Sequence, residues 1–258
     1  MRSTERTAVP DSVTERTHLI FSAFEGDGRP LTFSELSRRT GLPKTTVHRL
    51  VTQLADLRWL ERTEEGFTLS NRIFRLLLAV PARVELREAA LPFMQDLYEA
   101  THETVHLAVR DDLSALYVEK IVGRRQVTSL TRVGGHMPLH CTGVGKVLLA
   151  HADAETAQRV LRQRLERMTT ATITQPALLN AELRKIREGG HAYDRQESSV
   201  GMTCVAAAIT NADGHVVGAL SVAGGAQRFR PDTVRSAVVA AALGVGRQLR
   251  TLAAAKSL

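Results

Sequence analysis

Apolar positions near the start of the chain follow a helical period. Val13, Ile20, Ala23 and Phe24 fall near one face of a helix that stops at Glu25-Gly26-Asp27-Gly28. Residues 1–12 before it read as a flexible arm. Thr32 and Glu35 form a capping box, each side chain satisfying a free backbone donor of the other, and open a short helix from Ser34 to Thr40 that ends at Gly41. Pro43 suits the first turn of a third helix, where its missing N–H would be unpaired anyway. In that helix Val47, Leu50, Val51, Leu54 and Leu57 make one apolar stripe for a core. Thr45, Thr46, His48, Arg49, Thr52 and Gln53 make the opposite one. Trp59 to Arg62 and Phe67 to Leu69 then flank a turn at Glu64-Glu65-Gly66, a two-stranded hairpin or wing.

The second part mixes periods. Asn71 to Ala79 reads as a helix ending at Pro81, and residues 71–83 as a linker between domains with capacity for dimer contacts. A longer helix from Val84 to Ala100 turns Leu86, Ala90, Phe93, Leu97 and Tyr98 inward. The period then switches to two: Val105, Leu107 and Val109 alternate, and after Asp111-Asp112 so do Leu116, Val118 and Ile121. Helices are predicted over Gly143–Ala150, Ala154–Leu165 and Ala181–Glu188, and strands over Thr203–Thr210 and Val216–Ala223. A final helix runs from Pro231 or Asp232 to about Ala254. The fold class is therefore α+β, with a winged helix-turn-helix over 13–70 and a sandwich with a mostly antiparallel sheet over 84–254.

Composition narrows the class without naming a partner. The 258 residues are 43% hydrophobic and 24% charged, which excludes a disordered chain and allows two domains. No apolar stretch approaches the length of a membrane span, and residues 1–11 lack the apolar block of a secretory signal. Two cysteines, Cys141 and Cys204, cannot make a disulfide framework and fit a reducing cytoplasm, the expected location. The net charge is +7, but residues 1–80 hold 12 Lys and Arg against 10 Asp and Glu. An argument for nucleic acid must therefore rest on local patterning. That patterning is present: no acidic residue lies between Glu35 and Asp56, while Arg38, Arg39, Lys44 and Arg49 do. Hydroxyls, amides and cations on the polar stripe of the third helix are the side chains that reach phosphates and base edges.

The run LTFSELSRRTGLPKTTVHRLVTQLADLRWLERTEEGFTLS resembles the DNA-binding domain of the isocitrate lyase regulator (IclR) family of bacterial transcription factors. PLHCTGVGKVLLAH, the stretch from Gly190 to Val205, and GHVVGALSVAG are similar to later blocks of the same family, so the resemblance covers about residues 13–252. It implies DNA contacts by Lys44, Thr45, Thr46, His48 and Arg49, with Arg38 near the backbone and Arg62 on the wing. It also implies a GAF-like effector domain that binds small organic acids, with Ser129, Met137, Gly143, Val144, Asp194, Cys204 and Ser221 at the ligand. Two departures stand out. Ala223 replaces a serine common in the family, and Arg195-Gln196 precedes the matched Glu197 where acidic or neutral residues are commoner. Arg195 is expected at the pocket mouth or, more simply, in solvent.

Other chemistries are weaker. Thr142-Gly143-Val144-Gly145 opens a helix whose glycines allow close approach of a ligand, or serve a tight structural turn. It is not a phosphate loop: that motif needs glycine where His140 stands and Ser or Thr where Val147 stands. His102/His106 and His136/His140 have helical metal-ligand spacing, but Pro138 breaks the second and the first straddles a helix-to-strand change. No metal and no cofactor is expected. The expected partners are double-stranded operator DNA, read as a homodimer or tetramer, and a small organic-acid effector, with no membrane. The alternative is a metabolite-binding or thiol-redox sensor or enzyme with an incidental helix-turn-helix, in which the two cysteines, Cys141 beside His140 and Cys204, would do the chemistry.

Overall fold

The computed structural model describes residues 12–26, 28–124 and 131–256, so the arm up to residue 11 and Ser129 lie outside the described residues. The chain divides into two compact units between Pro81 and Ala82.

In the first unit, α1 (Val13–Ser22) opens on a second capping box, Ser12 accepting from the Glu15 amide and Glu15 from the Ser12 amide. The Thr32–Glu35 box caps α2 (Phe33–Thr40), which ends on Gly41 with φ of +71°, the left-handed conformation that glycine adopts without strain. There follow α3 (Lys44–Asp56) and the antiparallel pair β1 (Leu60–Thr63) and β2 (Gly66–Leu69). Ile20, Leu31, Leu36, Leu42, Val47, Leu50, Val51, Leu54, Leu60 and Phe67 form the core. Each fully buried aliphatic side chain there contributes roughly 1.5–3 kcal/mol. Two residues assigned to the apolar stripes do not join it. Val13 is 57% exposed in the first turn of α1, and Leu57 is 59% exposed because α3 ends one residue earlier. The unit closes with α4 (Asn71–Leu77), capped by Ser70 and tied back by the Arg72 guanidinium, which donates to the Leu57 carbonyl and lies 4.6 Å over the Trp59 ring.

Pro81 does not end a helix. It is the first residue of α5 (Pro81–Thr101), a position that needs no N–H. The chain then runs through β3 (Thr104–Asp111), β4 (Ser114–Ile121), β5 (His136–Pro138), α6 (Gly143–Ala150), α7 (Ala154–Arg162), α8 (Pro176–Gly189), β6 (His191–Arg195), β7 (Met202–Thr210), β8 (Val216–Gly225) and α9 (Pro231–Lys256). The six strands form one antiparallel sheet in the order β5-β4-β3-β8-β7-β6. The short edge strands β5 and β6 have no period of their own in the sequence.

Alternation splits the sheet into two faces. Val105, Leu107, Val109, Val205, Ala207, Ile209, Leu220 and Val222 pack against α5 and α9. Ala108, Ala115, Tyr117, Ala192, Ala206 and Ala219 lie against α6, α7 and α8. Small residues on this second face let α6 sit close to the strands, and all eight of its residues are buried.

Candidate DNA interface and ligand pocket

The first unit presents the polar side of α3 to solvent. Lys44, Thr45, His48 and Arg49 are exposed and Thr46 is half-buried, while Val47, Leu50, Val51 and Leu54 hold the helix to the core. Arg38 is exposed on α2 and Arg62 on β1. The neighbouring Arg39 is differently engaged, donating to the Ala23 carbonyl at 2.9 Å. His48 is not free to point anywhere: its ring stacks on Phe33 with centroids 4.7 Å apart and planes 25° from parallel. The first turn of α3 carries no acid, so the positive end of the helix dipole and Lys44 face the same way.

In the second unit the strand register gathers a pocket beneath the start of α6. One cross-strand row runs Ala223, Cys204, Asp194 and another runs His106, Ser221, Ala206. The cavity is small, about 10 Å³ to a water-sized probe and so room for about one water molecule, and an organic ligand would enter only by displacing its lining side chains. His106, Tyr117, Thr131, Thr142, Gly143, Val144, Asp194, Ser198, Met202, Cys204, Ser221 and Ala223 line it. Five of the expected ligand residues, Gly143, Val144, Asp194, Cys204 and Ser221, therefore converge. Met137 does not: it lines a separate cleft with His140 and Leu165. His106, Tyr117 and Thr131 went unforeseen, although a histidine between Val105 and Leu107 had to face the opposite side of the sheet from them.

The glycines of the α6 entry meet protein. A Cβ on Gly143 would lie 2.6 Å from the Cys204 Sγ, and one on Gly145 2.7 Å from the Leu139 carbonyl oxygen. Thr142 caps the helix by accepting from the Gly145 amide. Lys146, 1% exposed, donates to Glu197 Oε1 at 2.5 Å and lies 3.7 Å from Glu182. Among the described residues the other Glu197 oxygen has no partner.

Asp194 is almost wholly buried. Its carboxylate accepts from the Glu197 and Ser198 amides and from the Ser198 hydroxyl, and its own carbonyl accepts from Thr203. Burial raises the Asp194 and Glu197 pKa values, opposed by these hydrogen bonds and by the Lys146 charge. His106 bonds Thr131 at 2.9 Å, and burial, helped by the Lys120 charge, pushes its pKa down to about 3. Its imidazole is therefore neutral at pH 7. Burial pushes both cysteine thiols up to about 12, so neither is an available thiolate. Arg195 is 60% exposed, 3.6 Å from Asp232 and over the Tyr193 ring, away from the pocket lining.

The metal-like pairs come apart. His102 is exposed at the end of α5 while His106 is buried in β3; His136 pairs with Asp111 while His140 bonds the Glu166 carbonyl. Among the described residues no group of three His, Cys, Asp or Glu could hold a metal, and no helix is long and apolar enough to cross a membrane.

Comparison with known proteins agrees with this division. Residues 13–64 match the IclR helix-turn-helix domain and residues 78–251 match the family described as bacterial transcriptional regulator IclR C-terminal. The chain is 31% identical over 234 residues to the HTH-type transcriptional regulator KdgR of Escherichia coli K12, covering 89% of each. It is 33% identical over 222 residues to the HTH-type transcriptional regulator BhcR of Paracoccus denitrificans, covering 85% of this chain and 79% of that one. Among solved structures, an IclR homolog from Microbacterium hydrocarbonoxydans complexed with 4-hydroxybenzoate matches with a TM-score of 0.86 and 30% identity, over 93% of this chain and all of that one. Matched in order by a DNA-binding helix-turn-helix and an effector-binding domain, the chain belongs to the IclR family of transcriptional regulators and is not an enzyme.

Proposed function

We propose that the protein binds a specific operator as a homodimer or tetramer, and that a small organic acid held in the second unit's cavity changes its operator affinity. The observation that carries this reading is the pairing in one chain of a solvent-facing basic helix with a small cavity lined by both polar and apolar groups. Lys44, Thr45, Thr46 and Arg49 are assigned to the major groove, with Arg38 and Arg62 on flanking phosphates. The half-exposed or exposed Phe74, Leu76, Leu78 and Val80, in and after α4, are assigned to contacts between copies.

The lining favours an aromatic or other apolar monoacid. It carries no Lys or Arg among the described residues, and its histidine is neutral. A polyanion would find no counter-charge there and would face Asp194. A single carboxylate can be met by the Thr131 and Ser221 hydroxyls, the Thr142 hydroxyl being donated to the Pro138 carbonyl, with Val144, Met202, Tyr117 and Ala223 around an apolar body. Ala223 in place of a hydroxyl leaves that edge apolar. The Microbacterium homolog's ligand, 4-hydroxybenzoate, is of this chemical type.

The test is gel-shift binding to the DNA upstream of the protein's own gene, titrated with aromatic and aliphatic monoacids including 4-hydroxybenzoate. One acid should move the half-saturation point and also raise the melting temperature. Operator binding indifferent to every acid, with no thermal shift, would sink the effector half of the proposal.

A further inference from the structure

His48 lies on the exposed side of α3, where a base-reading residue would be expected, yet its ring is already committed. It stacks on Phe33, the first residue of α2. Phe33 in turn packs on Phe67 of β2, with centroids 4.8 Å apart. The Arg62 guanidinium lies 6.0 Å from the centroid of the Phe67 ring, on its other neighbour strand. One line of contacts thus joins α3 to the wing: His48, Phe33, Phe67, Arg62.

The backbone reinforces that line at its middle. Leu31 and Phe67 exchange both amide hydrogen bonds, at 2.8 and 2.9 Å, forming an isolated antiparallel bridge. Two residues on, Phe33 carries the stack, and the Thr32–Glu35 capping box between them fixes the chain's entry into α2. The three-residue segment Leu31–Phe33 therefore holds the wing through its backbone and α3 through its ring. A stacked ring pair resists sliding and tilting of one element against the other, which isotropic aliphatic packing does less well.

Resting on the reading of α3 as the recognition helix, we propose that His48 is a positioning residue. Stacked on Phe33, it sets the angle between the recognition helix and the wing, and it reads no base through its ring nitrogens. What the site requires at position 48 is then a flat ring.

The experiment uses the full-length protein and the duplex it selects from a random-sequence library. His48→Ala should lower affinity for that duplex about three- to tenfold, the range one lost ring stack accounts for. His48→Phe, which keeps the ring and loses both nitrogens, should stay within about twofold of the parent and select the same sequence. Phe33→Leu should reproduce the His48→Ala loss, and the double variant should add little to either. Because His48 and Arg62 are separated by two rings, a further result is diagnostic. Arg62→Ala should cost less in the His48→Ala background than in the parent. The proposal is overturned if His48→Phe binds as poorly as His48→Ala, or if His48→Ala binds like the parent. Arg49→Ala separates this from the underlying reading: if it too binds the selected duplex normally, the recognition-helix assignment itself fails.

Discussion

Lys146 and His106 show how burial turns ordinary side chains into determinants of stability. Lys146 is closed in on all sides, with Glu197 as its near partner. Removing one member of such a pair leaves the other buried and uncompensated. Lys146→Met should therefore cost about 3–5 kcal/mol in urea unfolding at pH 7.5. Because burial already raises the Glu197 pKa, the loss should shrink at pH 5, where the orphaned carboxyl takes up a proton. Adding Glu197→Leu should recover much of it; a double variant as unstable as the single would rule the explanation out. His106 acts in the opposite direction. Its folded pKa of about 3 lies below the ordinary 6.5, so on acidification the unfolded chain gains a proton that the folded chain refuses. The fold loses stability as pH falls from about 6.5 towards 3, by about 2 kcal/mol at pH 5. His106→Gln should flatten that slope between pH 7.5 and 5 in denaturant titrations.

Elements are held in place by contacts that tolerate no added atom. The wing is a case in point: Gly66 has φ of +144°, and a Cβ there would meet the Leu31 carbonyl oxygen at 2.6 Å, against backbone that cannot give way cheaply. Gly66→Ala should displace β2 from the Leu31 bridge. The expected readout is weaker operator binding together with a lower melting temperature of the first unit, while the second unit's transition stays put. Normal operator affinity in that variant would mean the wing adds nothing to binding. At α6 the same argument applies to Gly143, whose neighbour is the Cys204 sulfur. There an alanine should push the helix entry off the pocket and cost about 1–3 kcal/mol.

At the scale of the whole molecule, the two units have separate hydrophobic cores, one around Val47 and Val51 and the others on the two faces of the six-stranded sheet. Their functions should be separable by single substitutions. Arg49→Ala should weaken operator binding and flatten its salt dependence while leaving effector-induced thermal stabilisation intact. Ser221→Ala should do the converse, since Ser221 is 2% exposed beneath the pocket and far in sequence from the DNA-binding unit. Loss of both functions in either variant would signal misfolding and not a site effect.

The sequence by itself determined what depends on neighbours along the chain. The Thr32–Glu35 box, the turn at Gly41, the stripe from Val47 to Leu54 and the wing turn at Gly66 are all local, and all lie where their pattern places them. So does the Ser12–Glu15 box, whose spacing is equally local. The family resemblance likewise groups Gly143, Val144, Asp194, Cys204 and Ser221, and these five line one cavity. Pro81 shows the limit of local reading: a proline both stops one helix and starts another, and only the observed chain shows that α5 begins on it. Tertiary structure alone decided the rest. The Lys146–Glu197 pair joins residues 51 apart in sequence, and the pocket draws on five strands and a helix whose register no single segment encodes. His48 belongs to the same class. Its polar position on an amphipathic helix is written in the sequence, but its commitment to Phe33 depends on where α2 crosses α3, and that is set by packing.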